Sequence, residues 1–465
     1  MAEVNPLDRV AAHVVGTSYD DLPPEAVAKV RTFLLDTIGV GIAGTSGAGI
    51  DDLKTVAATW GDGDEATVWL TGEKLPALSA AIVNAYQLHC LEFDCVHEGA
   101  VLHPMATILS AVMAWVERAK KRGTHVDGKT FVTALALGVD VSTMLGVVTD
   151  SPLEFFRPAT AGGFGAVAAI CKIAGTDELT LKNALGAQYS QTSGTLQPHV
   201  EGSPMLGMQV GFNARSAIMS VDLAMAGFRG PHQILTGQYG YFKLFEQDNY
   251  DLEPFLDRLG KDWQILEMSH KPFPSGRLTH GVVDGLGRLM RQHGFGADDV
   301  ARVTCEVPPL VHRLVGRPLV DDPAANYAKL CLRFVAGLYL ARGNVDVPDF
   351  RGPENLRDPE IHRLGGLVDV VLDANPDQNA LDPQTITVEL KSGARHAITL
   401  PFVYGHPKAP LSDAENVEKF RRCASYGSVP LASDRVSALV DAVGAIEAET
   451  DVARLVELTL TGTAG

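Results

Sequence analysis

Between Pro76 and Asn249 nearly every segment repeats its apolar residues at helical spacing, and Ala, Gly and Met are unusually frequent there. Small residues let helix backbones approach closely, whatever their own propensities cost. A stretch of this kind predicts a compact bundle of buried, mostly apolar helices. Two helices precede it, LDRVAAHVVG and PPEAVAKVRTFLLDTIGVGIAG, the second opening at Pro23-Pro24. GDGDEATVWLTGEKLP reads as a loop with a short β-like piece.

The pattern changes near residue 265. DDVARVTCEVPPLV and QTITVELKSGARHAITLPFV alternate apolar and polar residues, with Ser-Gly as a hairpin turn, and VDVVLDANP adds a third strand-like piece. AANYAKLCLRFVAGLYLARG between them reads as a buried helix. After Pro410 the helical pattern returns, opening on a capping box of Ser412 and Glu415. The expected fold is mainly α: a discontinuous all-helical domain (1–267 and 405–465) around a smaller α+β domain (268–404). The chain's 465 residues suffice for two domains.

His89 to Pro104, HCLEFDCVHEGAVLHP, joins two apolar helical runs. Glu92, Asp94, His97, Glu98 and His103 crowd this connector. Charges are costly to bury unpaired, so the cluster either faces water or does chemistry. Pro104 suits a helix start, and the free N–H groups there favour a neutral, proton-accepting His103. Arg157-Pro158 and Lys271-Pro272-Phe273-Pro274, the latter ahead of Arg277 and His280, repeat the punctuation. Three such starts could converge on a carboxylate. The alternative is that Pro opens helices and basic residues sit on surfaces.

A net charge of −17 argues against nucleic acid or anionic lipid as partner. Six cysteines without CxxC spacing read as reduced thiols, and the N-terminus lacks a signal-peptide core, so a cytoplasmic location is expected. No apolar run reads as long and charge-free enough to span a membrane. GxGxxG between strand and helix, P-loop, GxSxG and HExxH motifs are absent. His89, Glu92, His97 and His103 fit no standard metal spacing, so no metal is expected.

These segments together resemble the MmgE/PrpD family, whose members include 2-methylcitrate dehydratase, cis-aconitate decarboxylase and iminodisuccinate epimerase. HCLEFDCVHEGAVLHP resembles its H-x-x-D-F-D-D-T-H motif followed by H-P, and FRPATAGGFGAVAA its F-H-P-T-A-T-A-G-x-F-G. HKPFPSGRLTH resembles K-x-F-P-x-x-x-x-x-H, and LAMAGFRGPHQILTGQYGYF, AKLCLRFVAG and GHPKAPLSDAENVEKF resemble further blocks. The resemblance implies an all-helical domain built from both chain ends plus an α+β lid, and a homodimer. It also implies cofactor-independent removal of a proton, or CO2, next to a carboxylate of a small organic acid. His103 and Lys271 would form the acid/base pair, and Glu92 and Asp94 would set the histidines' tautomer and charge. His97 is a second acid/base candidate, and Arg157, Arg277, His280 and Gln209 would contact substrate. An iminodisuccinate-type epimerase and a non-catalytic acid-binding relative are the alternatives.

The departures carry their own expectation. The loop's first acid is Glu92, D-D-T reads Asp94-Cys95-Val96, and the F-H-P histidine is Arg157. Val139, Met144, Leu206 and Gly276 stand where relatives often carry polar, aromatic or cationic groups. If Val139, Met144 and Leu206 line the cleft, the substrate carries fewer carboxylates than citrate, or bears an apolar arm.

Overall fold

The computed structural model describes residues 5–461; the ends of the expected helical domain, 1–4 and 462–465, lie outside it. The chain begins with helices α1 (Pro6–Gly16) and α2 (Pro24–Gly44). The bundle continues through α3 (Ala77–His89), α4 (Pro104–Lys121), α5 (Gly128–Val147), α6 (Arg157–Ala174), α7 (Glu178–Tyr189) and α8 (Met205–Met225). α6 packs on α5, α4 and α8, and α3 packs on α2, α4 and α8. Glycine makes the closest of these approaches possible: a Cβ at Gly138 of α5 would sit 2.9 Å from the Gly165 carbonyl oxygen of α6.

α5 corrects one sequence expectation. By length and hydropathy it could cross a membrane, and 89% of its most apolar window is buried inside the molecule. Its two charged residues, Lys129 and Asp140, are too few to mark it as a core helix by sequence.

Beyond the bundle come α9 (His280–His293), β1 (Val300–Val307), α10 (Leu332–Arg342), β2 (Val368–Leu372), β3 (Gln384–Leu390) and β4 (Arg395–Leu400). The sheet order is β2-β1-β3-β4, with β1 and β2 parallel and the other pairs antiparallel. β1 buries Val303, Cys305 and Val307 at alternate positions, as its period-two pattern requires. The segment read as one helix from Ala324 is broken. A short helix ends at Lys329, α10 starts at Leu332, and the freed Lys329 carbonyl accepts from Gly276 N–H at 3.0 Å.

Helices α11 (Asp413–Ser425) and α12 (Ser433–Gly444) return to the bundle. Ser412 and Glu415 form the capping box that opens α11. α11 packs along α2. Its buried Lys419 reaches Asp36 of α2 at 2.7 Å and donates to the Phe93 carbonyl at 2.9 Å. The C-terminal segment therefore braces the charged connector from behind. The interior falls into two apolar clusters. The larger takes side chains chiefly from residues 7–268 and 420–458, with Leu330 and Val347, the smaller chiefly from 278–388. All six cysteines are buried and free.

Candidate active site

The charged connector leaves α3 at His89 and enters α4 at Pro104, with His103 as the N-cap residue. Midway, Val96–His97 pairs antiparallel with Met268–Ser269. This two-residue ladder brings the Lys271 segment, far away in sequence, against the connector. Glu92 and Val101 adopt left-handed backbone angles (φ 54° and 49°), which non-glycine residues rarely take. Strain of this kind gathers where side chains are held for a purpose.

Asp94 is the centre. It is fully buried, and its Oδ2 lies 2.9 Å from His89 Nδ1 and 3.2 Å from His103 Nδ1. Its Oδ1 lies 3.8 Å from Lys271 Nζ, which donates to Glu92 Oε2 at 2.9 Å. Burial alone would raise the Asp94 carboxyl, but His89, His103 and Lys271 outweigh it and hold it well below the usual range. Glu92, opposed by burial but next to Lys271, is lowered to about 2. Both are carboxylates at neutral pH.

The two histidines are driven apart. Burial and the Lys271 ammonium lower His103. At His89 burial is outweighed by Asp94 and Glu92, and its pKa is raised. Two titratable groups on one carboxylate are thus pushed in opposite directions, the arrangement that acid/base chemistry uses. With Nδ1 turned to Asp94, neutral His103 carries its lone pair on Nε2. His89, which the sequence offered only as a metal ligand, is the charged partner; their rings sit edge to face at 5.0 Å.

A cleft of about 650 Å³, including its open mouth, lies beside this pair. His89, Glu92, Glu98, His103 and Arg277 reach it. Arg277 donates from Nε to Glu98 at 2.8 Å and from its other nitrogens to the carbonyls of Tyr404 and Val403. His199 also lines the cleft, and nothing in the local sequence marks it. Arg317 donates to its Nδ1 at 2.8 Å, and burial followed by the Arg317 charge lowers it to about 4.

Several expected residues stand elsewhere. Lys271 is brought to the site but is fully buried behind Glu92, outside the cleft lining. There it compensates the charge of Glu92 and Asp94. His97 accepts from Ala100 N–H at Nδ1 and faces Gln264 Oε1 from Nε2, and burial lowers it to about 4. Both ring nitrogens are used in holding the loop. Arg157 is turned away from the cleft, its Nε and Nη2 on Glu246 (3.1 and 3.0 Å) and its Nη1 on the Ala100 carbonyl. His280 gives Nε2–H to the Ser275 carbonyl and turns Nδ1 to Arg277. Gln209 is spent on the backbone of Thr195. Of the three apolar departures only Leu206 lines the cleft; Val139 and Met144 are packed within the bundle core.

His89, Asp94 and His103 bring their ligand atoms within 4.8 Å of one another, as do Glu98, Asp382 and His406. Either trio has donors a divalent cation uses. In each, a cation side chain already serves a carboxylate: Lys271 lies 3.8 Å from Asp94, and Arg277 lies 2.8 Å from Glu98.

The buried neutral histidines make stability depend on pH. Burial lowers His97, His199 and His270 to about 4 and holds His280 well below the ordinary 6.5. Below pH 6.5 the unfolded chain takes up protons that these folded sites refuse, so stability falls as pH drops from 6.5 towards 4. His89, raised, offsets part of this. Each unit is worth about 1.4 kcal/mol per group, so the melting temperature is expected to fall steeply across that window. An unchanged melting temperature from about pH 7 to about pH 5 would contradict the assignment.

The fold is mainly helical with a small α+β part, and the cleft lies beside a buried Asp94 that faces His89 and His103. Residues 8–253 match the MmgE/PrpD N-terminal domain and residues 273–443 the MmgE/PrpD C-terminal domain. The chain belongs to the MmgE/PrpD family and is an enzyme. It is 26% identical to the cis-aconitate decarboxylase of Homo sapiens, over 96% of this chain and 93% of that one. The cis-aconitate decarboxylase of Mus musculus is also 26% identical, over 96% and 92%. That of Aspergillus terreus (strain NIH 2624 / FGSC A1156) is 24% identical, over 94% and 92%.

Proposed function

We propose that the chain is a cofactor-independent lyase or isomerase that removes a proton, or CO2, from the carbon next to a carboxylate of a small organic acid. The observation that carries this is the pair of histidines on Asp94, one kept neutral and one favoured as the imidazolium, at the wall of one cleft. The cis-aconitate decarboxylase relatives support the reaction class. His103 Nε2 takes the proton from carbon, and the pair of electrons left behind is delocalised into the carboxylate as an enolate. Charge on that oxygen is met by imidazole N–H donors fixed before the reaction, where they act most strongly. In a dehydration His89 gives its proton to the departing hydroxyl, which leaves as water; in a decarboxylation the C–C bond breaks, CO2 departs and His89 protonates the carbon left with the electron pair. Lys271 keeps Glu92 and Asp94 charged and in place.

The test is a panel of carboxylic acids incubated with the protein in D2O and read by mass spectrometry. Loss of CO2 or water identifies a lyase, while deuterium gain on an unchanged skeleton identifies an epimerase. No mass change and no deuterium in any acid would sink the reading. A homodimer is part of the same proposal, supported by the exposed apolar side chains Met225, Phe228, Tyr239 and Leu244. A monomer by light scattering at micromolar concentration would contradict it.

A further inference from the structure

The cleft is supplied very unevenly for holding charge. Its walls are Val101, Leu153, Phe156, Leu206, Leu314 and Val315, among other apolar side chains. Of its charged lining residues, Glu92 and Glu98 are anions. Arg277 is the one guanidinium or ammonium in the lining, and Glu98 already matches its charge. Lys271 is committed to Glu92, and Arg157 to Glu246 outside the cleft. A tricarboxylate here would bring three negative charges to a lining whose cations, Arg277 and the His89 imidazolium, are already held by Glu98 and Asp94. Each extra carboxylate loses hydration and gains nothing in return.

One donor is nevertheless built for a single anionic oxygen. An arginine only donates, so the Arg317 N–H at His199 Nδ1 fixes the lone pair there and the hydrogen on Nε2. Arg317 also donates to the His199 carbonyl at 2.9 Å, which clamps ring and backbone together. His199 Nε2 has no hydrogen-bond partner among the described residues. It is a permanent N–H donor on a residue of the cleft lining.

We infer that this enzyme acts on an acid with one carboxylate on an apolar body, its carboxylate held by His199, and not on a tricarboxylate such as cis-aconitate. The inference rests on the reading of this cleft as the site of acid turnover. It concerns which acid is held, so equilibrium binding tests it without requiring turnover.

The experiment titrates the full-length protein calorimetrically with hexanoate, 3-phenylpropionate, succinate, tricarballylate and cis-aconitate. Hexanoate or 3-phenylpropionate should bind at least about tenfold more tightly than tricarballylate or cis-aconitate. Leu206→Lys, which adds a cation to the wall, should narrow or reverse that ratio by about tenfold. His199→Phe should weaken the monocarboxylates by about tenfold, and His199→Gln, which keeps an N–H, should restore most of the loss. Far-ultraviolet circular dichroism and melting temperature establish that each variant is folded. Tricarboxylates binding as tightly as the monocarboxylates, or no acid binding at all, overturns the inference. So does equal binding by His199→Phe and wild type. Deuterium exchange measured on the same acids reports separately on the carbon-acid reaction: binding in the expected order without exchange removes the reaction and leaves the ranking.

Discussion

Replacing His103 with Gln lowers turnover by about 10²–10⁴-fold, the range contributed by a positioned acid or base. Asp94→Asn reaches at least as far, because one substitution disturbs three partners. The amide removes the carboxylate that lies 2.9 Å from His89 Nδ1 and 3.2 Å from His103 Nδ1, and with it the charge that raises His89. It also leaves Lys271 with Glu92 as its one remaining carboxylate. Since His103 sits below 6.5, the acid limb of the wild-type rate profile should fall below that value. In Asp94→Asn that limb moves further down, because the carboxylate that favours the imidazolium is gone. The check is kcat and kcat/KM across pH with whichever acid the isotope screen returns. A loss under about tenfold in either variant would remove Asp94–His103 from the reaction.

The second large effect is on stability. Arg157→Ala should destabilise the protein by about 3–5 kcal/mol, since it strands Glu246 in the interior. Arg157 and Glu246 are 1% and 4% exposed, and Ser151 is bonded to the same Glu246 carboxylate. Glu246→Ala strands the guanidinium and should cost a similar amount. Arg157→Met with Glu246→Leu removes both charges and should recover most of the loss. Chemical denaturation of the three variants decides it. If Arg157→Ala keeps wild-type stability but raises KM alone, the guanidinium contacts substrate and its assignment here as a structural residue is wrong.

These effects also mark how much the sequence could reveal. The strands Val300–Val307, Gln384–Leu390 and Arg395–Leu400 are legible because periods of 3.6 and 2 differ plainly, and the Ser412–Glu415 box because its signal is local. The break at Leu330-Cys331 was not, because it answers to tertiary bonds: Lys329 gives its carbonyl to Gly276 and its ammonium to the Cys90 carbonyl. At the site, His103 and Asp94 are legible because one short loop carries both. Lys271 was correctly drawn towards them, but its depth depends on the Val96–Ser269 ladder, which no periodicity announces. Arg157 looked free for substrate because its partner Glu246 is 89 residues further on. His199 gave no signal at all: it lies in the five-residue helix Gln197–Glu201, and its tautomer is set by Arg317, 118 residues away.

The central claim is that His103, oriented by Asp94, moves a proton at carbon next to a carboxylate. The direct measurement is deuterium incorporation from solvent at that carbon, followed by mass spectrometry for wild type and His103→Gln with the same bound acid. The account predicts incorporation by the wild type and a rate at least about 10²-fold lower in the folded variant. Equal incorporation in the two proteins would contradict it.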